Sequence, residues 1–381
     1  MPPNASRRRV LGALGAGLLG AGVTGAAEAE VTGDATETVQ VNVGYSDRSV
    51  LTRLRRAGDV VREFAFDVVT LRTPTAVAAE LAGRSGVRFV EPDVELTATA
   101  QTLPWGVDRV DAEVAHARGA TGADATVVVV DTGIDLAHPD LPVNALASRA
   151  FVGGVTGVPG GQDDNGHGTH CAGIVGARDD DAGVVGVAPD VELHAYKTLN
   201  AVGVGLTSDI AAAVQYAGDA GVDVASLSLG GGDTTTLRED CAYAHDRGVL
   251  LVAAAGNGGP CTGCLDAPAW YDETVAVSAT RRDDSLASFS SAGRGVDLAA
   301  PGDGVYSTDV GGACTTRSGT SMACPHVSGA AAQLLARGLT NDEARQRLQA
   351  TAEDVGLGRD ESGAGLLDVA AALGVDSRDD R

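Results

Sequence analysis

The feature that most constrains the fold is a recurrence of uninterrupted apolar runs after residue 100. ATVVVVDTG (125–133), VELHAYKTL (191–199), VDVASLSLG (222–230), VLLVAAAGN (249–257) and TVAVSAT (274–280) are rich in Val, Leu and Ala, with helical stretches of small residues between them. A strand that is apolar along its whole length has both faces covered, and strands alternating with helices are joined by crossovers. The pattern predicts βαβ units and a mainly parallel sheet covered on both sides. In such a sheet reacting groups gather beyond the carboxyl ends of the strands. Polar residues at those ends are therefore the first candidates for chemistry.

A smaller block precedes this one. VQVNVGY (39–45) and FAFDVVTLRTP (64–74) read as strands, RSVLTRLRRAG (48–58) and TAVAAELAGRSG (75–86) as helices with a glycine stop, and VRFVEPDVELTA as a closing strand and tail. Charge separates the two blocks. Residues 1–99 hold 11 Arg and 12 acids, whereas residues 100–381 hold 17 Lys+Arg and 39 acids, of a total net charge of −23. So acidic a surface repels nucleic acid. It also repels itself in dilute salt, because the Debye length shrinks from about 30 Å at 0.01 M to about 3 Å at 1 M. The expectation is a protein adapted to concentrated salt. At the N-terminus Arg7-Arg8 precede a Gly/Ala-rich apolar run and Ala27-Glu28-Ala29. This reads as a twin-arginine export signal over 1–29, too short and glycine-rich to span a membrane.

Four places in the sequence stand out singly, each with an ordinary explanation. Asp131 ends the run VVVVD and could cap the next turn. His167 and His170 lie between glycines in DDNGHGTHCAG and could be a metal pair or structural. Asn257 ends VLLVAAAGN and could serve the turn before Gly258-Gly259. Ser321 in GTSMACPHVSG could be a helix N-cap. Together they supply a nucleophile, a base, a carboxylate to orient the base and a donor for an oxyanion, in the order Asp, His, Ser.

The stretches VVDTGID, HGTHCAGI, SLSLGG, AAAGN and GTSMACPHVSG closely resemble the subtilisin-like serine proteases over roughly residues 100–373. The cysteines in HGTHCAG and TSMACPH, with the acidic composition, look most like the halolysin branch. The resemblance implies an α/β, three-layer subtilisin-like fold with a mainly parallel central sheet, preceded by a small α+β ferredoxin-like inhibitory propeptide. The implied domains are a signal (1–29), a propeptide (30–99) and a catalytic domain (100–381), with autocleavage after Thr99. By resemblance Ser321 is the nucleophile, His167 the general base and then acid, and Asp131 its orienting carboxylate. Asn257 and the Ser321 backbone N–H form the oxyanion hole, with support from Thr320. Halolysins often carry a further C-terminal domain. This sequence ends in a short acidic tail, and no such domain is expected to contribute.

The resemblance also implies peptide-binding edges at Ser228-Leu229-Gly230 and Gly203-Val204-Gly205. Ala253 to Gly256, with Ala254 and Gly256 foremost, would line a primary pocket that favours large apolar side chains. It implies a structural Ca²⁺ held by side chains of Gln101, Asp140 and Asp180 and by carbonyls of Arg178, Ala182 and Val184. Hard oxygen donors of this kind suit calcium. Cys171 and Cys324 are expected as buried thiols. Cys241, Cys261, Cys264 and Cys314 allow three pairings, with Cys261–Cys264 a short loop among them and zinc an alternative. The implied protein is an extracellular monomer acting on protein or peptide substrates and inhibited by its own propeptide, with no nucleic-acid or membrane partner.

Three rivals stand against this reading. A narrow processing enzyme could use Asp163 and Asp164 to favour basic peptides. A peptide-binding protein of the same fold could lack activity. An esterase with a G-x-S-x-G elbow fails on chain order, because here the serine comes last.

Overall fold

The computed structural model describes residues 38–93, 101–155 and 157–376. The chain divides into two compact units, Met1–Thr97 and Ala98–Arg381. The expected export signal, the cleavage point after Thr99 and the new terminus at Ala100 lie outside the described residues.

The first unit runs β1 (Thr38–Tyr45), α1 (Arg48–Ala57), β2 (Asp59–Glu63), β3 (Val68–Pro74), α2 (Thr75–Ala82) and β4 (Val87–Pro92). Its strands form an antiparallel sheet in the order β2-β3-β1-β4. This is the βαββαβ arrangement of ferredoxin-like units. Asp47 caps α1 by accepting from Ser49 N at 2.6 Å. Val41, Val43, Leu54, Val69, Leu71 and Ala78 form the core. Strand β2 is exposed at every position. It carries no alternation by which a sequence pattern could find it.

In the second unit α3 (Trp105–Arg109) and α4 (Ala112–His116) lead into β5 (Thr126–Asp131). Then come β6 (Arg149–Ala150), β7 (Val158–Pro159), α5 (His167–Gly176), β8 (Glu192–Lys197), α6 (Thr207–Ala220), β9 (Val224–Leu227), α7 (Thr235–His245), β10 (Leu250–Ala254) and β11 (Thr274–Thr280). The chain finishes with β12 (Leu298–Pro301), β13 (Val305–Asp309), β14 (Ala313–Arg317), α8 (Thr320–Leu335), α9 (Asn341–Ala350), α10 (Arg359–Ser362) and α11 (Val369–Ala372). The main sheet has the order β12-β11-β10-β9-β5-β8-β6-β7 and is parallel except for the β6–β7 pair.

Strand β5 explains why the runs are continuous rather than alternating. Val127 to Val130 are all fully buried. Val127 and Val129 pack with residues of α5 and α8, whereas Val128 and Val130 pack with residues of α6 and α7. The period-two pleat thus feeds two separate cores. Each buried valine contributes about 1.5–3 kcal/mol relative to exposure. The order of strands turns at β5: β8 lies on one side, and β9 through β12 on the other. A crevice forms outside such a switch point, and the residue at the carboxyl end of β5 is Asp131.

Candidate active site

Asp131 has no solvent exposure, so its charge must be met by donors. Its Oδ1 accepts from Thr132 N at 2.6 Å. His167 Nδ1 lies 2.8 Å from Oδ1 and 3.0 Å from Oδ2. His167 opens α5, and the next residue lets that helix start so close. A Cβ on Gly168 would collide with the carbonyl oxygen of Gly133 and stand 3.1 Å from Asp131 Cβ. The carboxylate's negative charge raises the His167 pKa above its ordinary value, against the effect of burial. It also fixes the tautomer, because a proton on Nδ1 faces Asp131 and leaves Nε2 free to accept one.

Ser321 lies in the first turn of α8. Its position depends on Pro325 four residues later. Proline has no N–H, so the carbonyl of Ser321 loses its helical donor. Two side chains take that place. Ser228 Oγ donates to Ser321 O at 2.8 Å, and Cys171 Sγ donates at 3.4 Å. Cys171 Sγ also lies 4.0 Å from His167 Nδ1. One thiol therefore ties the serine's helix to the histidine's helix. The Ser321 hydroxyl itself donates to Ser228 O at 3.1 Å.

Asn257 follows β10, and its amide is held in one orientation. Its Oδ1 accepts from Thr320 N at 2.9 Å and from Thr320 Oγ1 at 3.1 Å. Thr320 Oγ1 in turn accepts from Gly256 N at 3.2 Å. The oxygen is thus bound inward, and the NH₂ group of this exposed residue is left for a ligand. Asp131 ends β5, Asn257 follows β10, and His167 and Ser321 lie in the first turns of α5 and α8.

The two expected peptide edges are placed unequally. Ser228 is buried and Leu229 half-buried, while Gly230 is exposed where the chain leaves the sheet. Gly203 and Val204 are exposed in a turn in which Asn200 N donates to Val204 O at 2.9 Å. Gly205 is half-buried. Ala254 is buried with Gly256 beyond the end of β10.

The acids considered for basic peptides are already engaged. Asp163 is buried and accepts from Asn165 N, Gly166 N, Thr169 N and Thr169 Oγ1 at 2.6–3.0 Å. Asp164 pairs with Lys197 at 2.6 Å. His170 does not join His167 in a metal pair. It is buried with Nε2 3.2 Å from Thr315 O, and burial pushes its pKa down to about 3. Among the described residues one trio of His, Cys and acidic ligand atoms lies within 4.8 Å, and it is Asp131, His167 and Cys171.

Four of the expected calcium ligands come together. The Gln101 amide reaches the carbonyls of Arg178 and Val184, and Asp140 Oδ2 accepts from Val184 N at 2.9 Å. Asp140 Oδ1 is buried without a partner. Burial, with Asp180 among the nearby charges, raises the Asp140 pKa. Asp180 and Ala182 are exposed, and among the described residues neither hydrogen-bonds to this group. Cys171 and Cys324 are buried free thiols, and Cys261 and Cys264 form a disulfide. Cys241 and Cys314 are free.

Residues 122–366, which include Asp131, His167, Asn257 and Ser321, match the model of the Subtilase family. The chain belongs to the subtilase family. The "Alkaline protease" of Alkalihalobacillus alcalophilus is 44% identical over 289 residues, 75% of this chain and 74% of that relative. "Subtilisin Savinase" of Lederbergia lenta is 45% identical over 276 residues, 72% of this chain and 99% of the relative. "Subtilisin E" of Bacillus subtilis (strain 168) is 39% identical over 323 residues, 83% and 84% of the two chains. This subtilase is a serine endopeptidase acting on protein substrates. No helix of its described residues is long and apolar enough to cross a membrane.

Proposed function

We propose that Asp131, His167 and Ser321 are the catalytic triad of this endopeptidase and that Asn257 and the Ser321 backbone N–H form its oxyanion hole. The observation that carries this reading is the linked set of contacts Asp131–His167–Cys171–Ser321, with the Asn257 amide turned outward beside it. For reaction the Ser321 hydroxyl turns from Ser228 O toward His167 Nε2, a change of one side-chain rotamer. Its oxygen attacks the scissile carbonyl as His167 takes the proton. The carbonyl oxygen gains charge and is met by Asn257 Nδ2 and the N–H at the start of α8, where the helix dipole is also favourable. His167⁺ then gives its proton to the leaving amine. Water repeats the sequence on the acyl-enzyme with the same base.

The rest of the reading concerns maturation and habitat. The first unit is the inhibitory propeptide, export follows the twin-arginine route, and the halolysin-like enzyme cuts itself after Thr99. The excess of acids keeps it folded and soluble in concentrated salt. Ca²⁺ binds through Gln101, Asp140 and Asp180 and the carbonyls of Arg178, Ala182 and Val184. The buried, unpartnered Asp140 Oδ1 supports that choice, and turning the Gln101 amide over would add Oε1 to the same oxygens. The ion would supply rigidity at the start of the second unit and no chemistry to the reaction.

Expression of Ser321→Ala tests the catalytic part. The variant should accumulate as uncut precursor without casein hydrolysis, and normal maturation would contradict the assignment. Chelation should lower the melting temperature of the wild type and leave that of Asp140→Asn unchanged. An equal fall in both would remove calcium from this site.

A further inference from the structure

Strands β9 and β10 are parallel neighbours. Their continuations beyond the sheet, Ser228–Gly230 and Ala255–Asn257, flank Asp266 and are taken as the two walls of the slot that the resemblance assigns to the primary pocket. The segment Asp266-Ala267 joins those walls. Asp266 N donates to Ala255 O at 3.0 Å, and Ala267 and Gly231 exchange N–H···O bonds of 2.9 and 3.0 Å. The slot therefore opens at Ser228, whose carbonyl accepts the Ser321 hydroxyl, and is closed at its far end by residue 266.

The side chain at that closed end is a carboxylate. A Cβ on Gly256 would sit 2.5 Å from Asp266 Oδ2. A Cβ on Gly230 would sit 2.7 Å from Asp266 Cβ and 3.0 Å from Oδ2. The carboxylate fills the room that two glycines leave by having no side chains. Asp266 is the one charged residue from Val249 to Tyr271. Among the described residues its side chain has no hydrogen-bond or ionic partner, and it is only half-exposed. Burial alone raises its pKa, with no neighbouring charge contributing. A carboxylate partly withdrawn from water without a cation loses hydration, and a ligand that brings the cation offsets that loss.

We propose that Asp266 determines the specificity of the primary pocket and that this subtilase selects lysine or arginine immediately before the cleaved bond. The inference rests on the catalytic assignment above. From Ser228 to Gly230 the extended wall spans about 7 Å. The stem of lysine or arginine can cover that distance and place its charge on Asp266. The small residues of the walls still accept an apolar stem, so the sequence-based expectation of a large apolar side chain changes at the tip. An apolar tip would leave the carboxylate dehydrated and unpaired, so discrimination comes from penalty as well as attraction. The expected maturation cut after Thr99 does not conflict, because it is intramolecular. Effective concentration there replaces side-chain fit.

The test compares succinyl-Ala-Ala-Pro-X-p-nitroanilides with X as Lys, Arg, Met or Phe, with kcat/KM expressed per titrated Ser321. Lys and Arg should exceed Met by about 10- to 150-fold, the worth of a charge-assisted hydrogen bond. Asp266→Asn should erase that ratio, lowering kcat/KM for the Lys and Arg substrates and raising it for Phe, and Asp266→Ser provides a second variant should the first fold poorly. A wild type that prefers Phe or Met over Lys, with the ratio unmoved in both variants, would overturn the pocket proposal and leave the triad standing. Failure of folded, propeptide-free wild type to cleave any of the four would instead overturn the catalytic assignment, and this inference with it.

Discussion

Asp131 is buried behind His167 and Asp266 lies between two glycines at the far end of the proposed slot, and their surroundings are opposite. Asp131 is fully buried, and both its oxygens are engaged by His167 and Thr132 before any substrate arrives. Asp266 is half-exposed, has no side-chain partner among the described residues and faces two glycines. The first carboxylate has its lone pairs committed within the protein, so it can only orient and stabilise. The second has them free, so it can select. Asp163 extends the comparison, because four donors saturate it and it holds the turn before His167. The role of an acid in this protein follows from which partners it already has, more than from its distance to the serine.

The largest effect that would break this contrast is at Asp131. Asp131→Asn should lower kcat about 10⁴-fold with KM little changed, as loss of this carboxylate does in other triads. The pH profile should move as well. Asp131's charge raises the His167 pKa, and catalysis needs the neutral ring. The acid limb of kcat/KM therefore lies higher in the wild type and should shift to lower pH in the variant. A variant whose limb stays in place would mean that Asp131 does not act through the imidazole. Next in size, Asn257→Ala should reduce kcat by about 10²–10³, the loss expected when one oxyanion-hole donor is removed. A fall in kcat below tenfold would remove it from the oxyanion hole.

Two buried histidines sharpen the contrast from the side of stability. His170 Nδ1 and His326 Nε2 are buried without partners. Burial lowers their pKa values to about 3 and about 4. Below an unfolded pKa of about 6.5 the unfolded chain binds protons that the folded one refuses. Stability should fall as the pH drops from about 6.5 toward those values, by about 1.4 kcal/mol per pH unit for each histidine. Thermal melts from pH 7 to 4 would measure this, and His326→Gln should flatten the slope. The smallest effect belongs to Asp164. The Lys197 ammonium is largely buried but also donates to Thr132 O and Leu199 O, so losing the exposed Asp164 charge should cost only about 1 kcal/mol. Asp164→Asn should change neither the melting temperature by more than a few degrees nor the Lys-to-Met ratio. A large loss of that ratio would move the basic selectivity away from Asp266.

Much of the fold was legible because the burial pattern is written directly in the runs. The valines of β5 could be apolar at every position only if both faces were covered. The strand Thr274–Thr280 coincides with its sequence run, whereas VDVASLSLG shortens to Val224–Leu227. Its last residues leave the sheet to become a slot wall, which apolarity cannot distinguish from a strand. The residues proposed as the triad stood out because glycines and small residues flank each one. The clamp on the Ser321 carbonyl was not. Pro325 gave the signal, a proline four residues after the serine, but its partners Cys171 and Ser228 come from distant segments. Asp266 was missed because TGCLDAPAW reads as an ordinary loop. Only the hydrogen bonds to Ala255 and Gly231 bring that loop across the slot.

The most direct test of the central claim is covalent titration of the serine. Purified protein in molar salt with calcium would be treated with a phosphonofluoridate, digested, and mapped by mass spectrometry. Stoichiometric labelling of Ser321, with parallel loss of casein hydrolysis, is the predicted result. Folded, propeptide-free protein that takes up no label at Ser321 would contradict the account and leave that hydroxyl only its structural hydrogen bond to Ser228 O.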